Sequence, residues 1–556
     1  MNRRTLLSGL AAAGAAGAIT TADWLRWFRS NGVPGTKKEL GIAEAVADEG
    51  PDPNFLIYWF QEGGWDGYSM FNPIDTSNDA TMTIPAGELH PNPSWSNQRY
   101  RTPNYGTAPV NPAATKGNIT YGYLAQEGLD LFPDLAVVSS HHGNPFHSGG
   151  RWDYHYGSYN HDMAKARAAD ERTVLQAFTE AYGASYLLPH IAWHRWLSDG
   201  ELSVSGYPEG TGYYEKLGPP YAHTIYGRTP GVLRSVLKQI QSLTTNARDD
   251  RIRKFVDNLH TNFVNGKNGP SVASFDAAVK LHAAQVGKVG VTFSPAQMFA
   301  DPALREYFGI HADDEATSAA EVNGNPARSK DSPRTNVQAM MTWELMSKGL
   351  SIAFHLESRD VRGFDTHFSR KAVFDTKGQQ DQAKRMKTEL WDPLKALVQK
   401  MKGTEYKASG KSYWDHSTIV LASEMGRFCY GDVEEILKDS ADDKYGRIMD
   451  QDVCQHSKVN SVAFLGGRVK GDRQWGRVGS STMDAIPLLP DGSLDPAYDA
   501  VTGELKAAKP SDGSFVPDAG HVYATALALT GLDPDQLRKD GKGRNTAPAL
   551  AFVTKK

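Results

Sequence analysis

The chain has 556 residues, with 60 Lys and Arg against 64 Asp and Glu for a formal charge of −4, and 40% of it is hydrophobic. That balance is globular and excludes a disordered, collagen-like or coiled-coil chain. Without a basic excess it also argues against a nucleic-acid binder, and no apolar run reaches the roughly 18 residues of a membrane span. The chain opens with Arg3-Arg4 ahead of Thr5-Leu6-Leu7 and a small-residue stretch through Ala18. Paired arginines before a weakly apolar core have the form of a twin-arginine export signal, with Ala16-Gly17-Ala18 as its small-x-small cleavage site. The competing reading is a helical N-terminus with two unrelated arginines. On the first reading, residues 1–22 direct a folded protein through the twin-arginine machinery to the periplasm or the extracellular space. An uncleaved signal would instead hold the protein at the membrane.

Residues 23–53 read as a charged lead-in. Beyond them, short apolar runs at 55–60, 135–138, 351–356, 418–422 and 461–465 have the length and bounding turns of buried strands. Helical periodicity is expected at 172–182, 232–243, 249–264, 274–286, 336–347, 380–401 and 521–529. Strands alternating with helices predict an α/β fold, a three-layer sandwich around a mainly parallel central sheet. We expect one such domain over 54–535, followed by a tail at 536–556. Two segments, near 72–117 and 200–230, are rich in Pro, Gly, Asn, Ser and Tyr and read as long surface loops. The two cysteines, Cys429 and Cys454, could form one disulfide in an oxidising compartment or stay as two buried thiols.

In open parallel sheets chemistry collects beyond the carboxyl ends of the strands, and polar residues gather there in this sequence. The first strand runs into Gly63-Gly64-Trp65-Asp66-Gly67, the second into Ser139-Ser140-His141-His142, then His147-Ser148. The third runs into Phe364-Asp365-Thr366-His367, the fourth into Ser423-Glu424-Met425-Gly426-Arg427. Carboxylates and imidazoles in this mixture suit Zn, Mn, Ca or Mg. Each element also has a plainer reading. Asp66 could cap a turn, Glu424 and Arg427 could form a structural ion pair, and His141, His142, His147, His155 or His161 could simply pack. The Gly63-Gly64 turn lacks the spacing of a dinucleotide loop.

Taken together, these segments resemble the bacterial exported family known as domain of unknown function 1501, which is similar in its core to the alkaline phosphatase superfamily. The resemblance rests on Arg3-Arg4, the Gly-Gly-Trp-Asp loop, Ser139 to His142, His147-Ser148-Gly149-Gly150, the Phe-Asp-Thr-His loop, and Ser423 to Arg427. It continues through Gln455-His456, then Gly466-Gly467-Arg468-Val469-Lys470-Gly471, and the closing helix. Gln455 stands where the family has aspartate, and Met425 where it has phenylalanine. The resemblance implies a divalent metal held by Asp66, Asp365, His367 and His456, with Glu424 next. It implies Ser148 as nucleophile or substrate holder, beside His147, and Arg427 against the anion. The implied activity is hydrolysis of a phosphate or sulfate ester, small or polymeric. A non-catalytic binding or scaffold protein on the same fold is the alternative, favoured by Gln455. A bound redox cofactor is suggested only by the export route.

Overall fold

The computed structural model describes residues 54–61, 63–65, 70–72, 82–83, 99–100, 114–143, 147–157, 173–183, 186, 190–192, 224–226, 297–310, 334–357, 383–429, 454–479, 482, 484–539 and 547–555. The leader, the lead-in and the helices expected at 232–243, 249–264 and 274–286 lie outside them. So does most of the loop segments near 72–117 and 200–230.

The chain divides into two compact units. The larger takes 54–177, 334–339 and 355–556, and the smaller takes its described residues from 178–333 and 340–354. Both are assembled from separated stretches of sequence.

The larger unit is built on a mixed α/β sheet. Its strands are β1 (Phe55–Gln61), β2 (Ala136–His142), β4 (Ser417–Ser423), β7 (Val459–Gly466), β8 (Arg473–Trp475) and the part of β3 (Ala353–Glu357) from His355 on, in the order β8-β2-β7-β4-β1-β3. A separate two-stranded ribbon, β5 (Gly426–Cys429) with β6 (Cys454–Ser457), is interposed in sequence between β4 and β7. β1 pairs parallel with β4, and β2 parallel with β8, while β7 runs antiparallel to both β4 and β2. Hence β1, β2, β4 and β8 point one way and β7 points against them. Every residue of β1, β4 and β7 is buried. Such strands carry apolar residues on both faces instead of alternating, the pattern of a sheet covered on both sides.

The described helices are α1 (His147–Tyr156), α2 (Val174–Tyr182), α3 (Pro302–Tyr307), α4 (Thr335–Ser347), α5 (Asp392–Lys402), α6 (Ala519–Leu529) and α7 (Pro534–Lys539). The long helix expected at 380–401 is interrupted by a π turn, Lys387–Trp391, just before α5. Trp391 Nε1 donates to Leu124 O at 2.7 Å there, and Pro393 sits in the first turn of α5, where its missing N–H costs no helical bond. α6 starts on a reciprocal cap: Asp518 accepts from the backbone N–H of His521 at 3.0 Å, while the His521 ring reaches back to Asp518. α6 packs along α1.

One strand differs in extent from the sequence reading. The second strand is expected to stop near Val138, with Ser139 to His142 as the loop beyond it. Instead β2 runs on through His142, with Ser139, Ser140 and His141 fully buried. Polar residues can stay in a buried strand when their groups find partners. Ser139 Oγ donates to Gly476 O at 2.6 Å, and His142 N to Pro517 O at 2.7 Å.

Candidate functional site at the carboxyl edge of the sheet

The ends of β1 and β4 lie side by side, because their register pairs Gln61 with Ser423. Beyond Gln61 the chain turns at once. Gly63 (φ 100°) and Gly64 (φ 75°) both adopt left-handed backbone conformations, which glycine reaches without the Cβ penalty of other residues. The turn brings Gly63 N to Glu424 Oε1 at 3.0 Å and Trp65 N to Ser423 Oγ at 2.9 Å. Ser423 Oγ in turn donates to Gln61 O at 2.8 Å. The glycine pair is therefore a hinge that lays the first loop against the end of β4, with no phosphate-loop geometry required. Glu424 is fully buried.

Beneath this edge lies a polar hub centred on Asn460, near the start of β7. Its Oδ1 accepts from Trp65 Nε1 at 2.7 Å and from Ser461 N at 2.8 Å. Its Nδ2 donates to Ser423 O at 2.9 Å and to the Tyr154 hydroxyl at 3.2 Å. Indole N–H can only donate and a carbonyl can only accept, so these partners fix the orientation of the amide. The Tyr154 hydroxyl bonds to His141 Nε2, and His141 Nδ1 lies 2.9 Å from Asn460 O. A carbonyl demands a proton on Nδ1, which leaves Nε2 to accept from Tyr154. His141 is thus a neutral imidazole. Burial pushes its pKa down to about 3, against a smaller opposing effect of the Asn460 carbonyl, and burial likewise raises the Tyr154 hydroxyl well above the usual phenol range.

Alongside the hub is a partly exposed ionic group. His142 Nε2 lies 2.7 Å from Asp484 Oδ1, and Lys458 Nζ lies 2.8 Å from Asp484 Oδ2. Burial would raise the Asp484 carboxyl, but the hydrogen bonds and charges of His142 and Lys458 outweigh it and hold the group below the usual carboxylate range. Next to it, the backbone of His142 bridges Asp518, whose Oδ1 lies 2.7 Å from His521 Nδ1. Burial opposes ionisation of Asp518 as well, and the His521 contacts prevail and lower its pKa. Among the strand-end residues singled out in sequence, none pointed to Asp484, Lys458, Asn460 or Tyr154. Lys458 and Asn460 flank the first residue of β7, at the amino end of a strand, where an argument from carboxyl ends does not look. Asp484 lies in a turn-rich stretch with no local signature.

Of the expected site residues, Glu424 is described in full, at the end of β4. His147 and Ser148 occupy the first turn of α1. Arg427 is on β5 directly opposite His456 on β6, so both belong to a strand ribbon. Arg427, expected in the loop beyond the fourth strand, is instead a strand residue. Gly426, the first residue of the ribbon, lies tight against the start of β7: a Cβ there would fall 1.8 Å from Val459 O. Gln455 faces Phe428 in the same register. His155 is an aromatic packing residue, with its ring centroid 5.4 Å from that of Tyr58, 5.7 Å from Phe60 and 5.0 Å from His355. Asp66, Asp365, His367 and His161 lie outside the described residues. Among the described residues, no three His, Cys, Asp or Glu side chains are grouped to hold a metal ion. Neither known protein families nor characterised proteins contain a match to the chain.

Proposed function

We propose that the protein is an exported, metal-dependent hydrolase of a phosphate or sulfate ester, on the alkaline phosphatase-like α/β/α plan of the domain-of-unknown-function-1501 family. The observation that carries this reading is the tie between strand ends. Gly63 N on Glu424 and Trp65 N on Ser423 hold the chain that leads into Asp66 against the end of β4. Asp66, Glu424, Asp365, His367 and His456 supply carboxylate oxygen and imidazole nitrogen, a donor set that Zn, Mn, Ca or Mg accepts. Glu424 fits a position in or behind that set, since Gly63 N already holds one of its oxygens and fixes its rotamer. When bound, the cation polarises the ester oxygen.

The chain's own residues do the rest. Ser148, in the first turn of α1, attacks the phosphorus or sulfur and displaces the ester's alcohol, water then releasing phosphate or sulfate from the serine, or it orients the ester for attack by water, with His147 beside it. Arg427 neutralises the anion through charge-assisted hydrogen bonds, and its place opposite His456 puts cationic recognition next to a metal ligand. A panel of phosphomonoesters, phosphodiesters and sulfate esters should show turnover that a chelator abolishes. Arg427→Ala should lower kcat/KM by about 10²-fold, the scale of one lost charge-stabilising group. Retention of an anionic ester without turnover would favour the scaffold reading, for which Gln455 and the structural use of Glu424 both speak.

Export follows from Arg3-Arg4. Replacing both with lysine should leave the folded protein in the cytoplasm, measured by fractionation. Unchanged delivery of that variant would rule out the twin-arginine route.

A further inference from the structure

Cys429 and Cys454 are the two cysteines of the chain. The ribbon pairs Gly426 with Ser457, Arg427 with His456, Phe428 with Gln455 and Cys429 with Cys454. Directly opposed residues of antiparallel strands have Cα atoms about 5.5 Å apart in a hydrogen-bonded pair and about 4.5 Å in the other kind. Both spacings fall inside the roughly 4.4–6.8 Å that a disulfide spans. The start of the ribbon is pinned where Gly426 approaches the backbone of Val459 too closely for any side chain, and a slip by one residue would put the two cysteines on opposite faces.

We propose that Cys429 and Cys454 are a modification site that closes an intramolecular disulfide across this ribbon. The oxidant is a disulfide-bearing exchange partner, protein or small molecule. One cysteine thiolate attacks the partner's disulfide and releases one of its sulfurs as thiolate. The second thiolate then attacks the mixed disulfide and releases the other. The two cysteine thiols lose two protons and two electrons, and the partner's disulfide takes them up as two thiols. Residues alternate faces along a strand, so Arg427 and His456 share the ribbon face of the cysteines, two residues away on each strand. The bond therefore fixes the spacing of two residues that the proposed hydrolase uses. That consequence rests on the hydrolase reading, while the bond itself rests on the register alone.

The test is to incubate the folded full-length protein with oxidised and reduced glutathione, quench in acid, alkylate in denaturant and map the peptides. The expected result is no alkylated cysteine, a mass lower by two hydrogens, and a reducible pair of peptides joining Cys429 to Cys454. Alkylation of both cysteines, or glutathione on each, would overturn the proposal. The assay needs neither export nor turnover, so its failure is distinct from failure of the export or hydrolase readings.

Discussion

Asn460→Ala is expected to destabilise the protein by about 3–5 kcal/mol, near the top of the range for a single substitution. Alanine removes the acceptor of Trp65 Nε1 and Ser461 N and the donor to Ser423 O and Tyr154. Each buried polar group left without a partner costs about 1–3 kcal/mol, and Trp65, Asn460 and Ser423 are all buried. The neighbouring Ser461→Ala is the control. Among the described residues the Ser461 hydroxyl is buried without a hydrogen-bond partner, so its removal should cost little. Denaturant unfolding of the two variants at unchanged m compares them directly. Similar losses for both would mean that the hub does not hold the strand edge together.

The second large effect is acid sensitivity above the carboxylate range. Burial lowers the pKa of His141 to about 3 and that of His190 to about 4. An unfolded histidine titrates near 6.5. Below that pH the unfolded chain binds protons that the folded chain refuses. Stability is then full above about pH 6.5 and falls as the pH drops, levelling only near the folded values. At pH 5 each histidine costs about 2 kcal/mol relative to pH 7. The raised Glu344 carboxyl works in the opposite direction, since burial favours its protonated form in the fold. Asp484 and Asp518, with lowered pKa values, add their own loss only when the pH falls below the ordinary carboxylate value near 4. Stability should therefore hold nearly constant from pH 7.5 to about 6.5 and fall from there to pH 5. A flat profile over that window would contradict a buried, neutral His141.

Much of this arrangement can be read from the sequence, for physical reasons. Phe55 to Phe60 and Thr418 to Ala422 are apolar on both faces, and only a strand inside a covered sheet needs that. Gly63-Gly64 after such a strand marks a turn, and the left-handed backbone there is what glycine makes cheap. The end of β2 is not legible in the same way. Ser139-Ser140-His141-His142 looks like a loop, because the partners of Ser139, His141 and His142, namely Gly476, Asn460 and Pro517, lie more than 300 residues away in sequence. The β5–β6 ribbon escapes notice for a similar reason. Its strands have four residues each, too short for a periodic signal, and the register that sets Arg427 against His456 pairs residues on strands that no local spacing links. Asp484 reaches His142 and Lys458 only through the fold, and no local spacing announces it.

The proposed hydrolase requires carboxylates and imidazoles that hold a divalent cation. Elemental analysis of the purified protein, beside Asp365→Ala prepared identically, tests it most directly. Asp365 lies in the segment read as a loop after a buried strand, so alanine there should remove bound metal while the chain still folds cooperatively. One or two equivalents of Zn, Mn, Ca or Mg are expected in the native protein and less than a tenth of that in the variant. Equal metal content in the two proteins, or none in the native one after incubation with each cation, would contradict it.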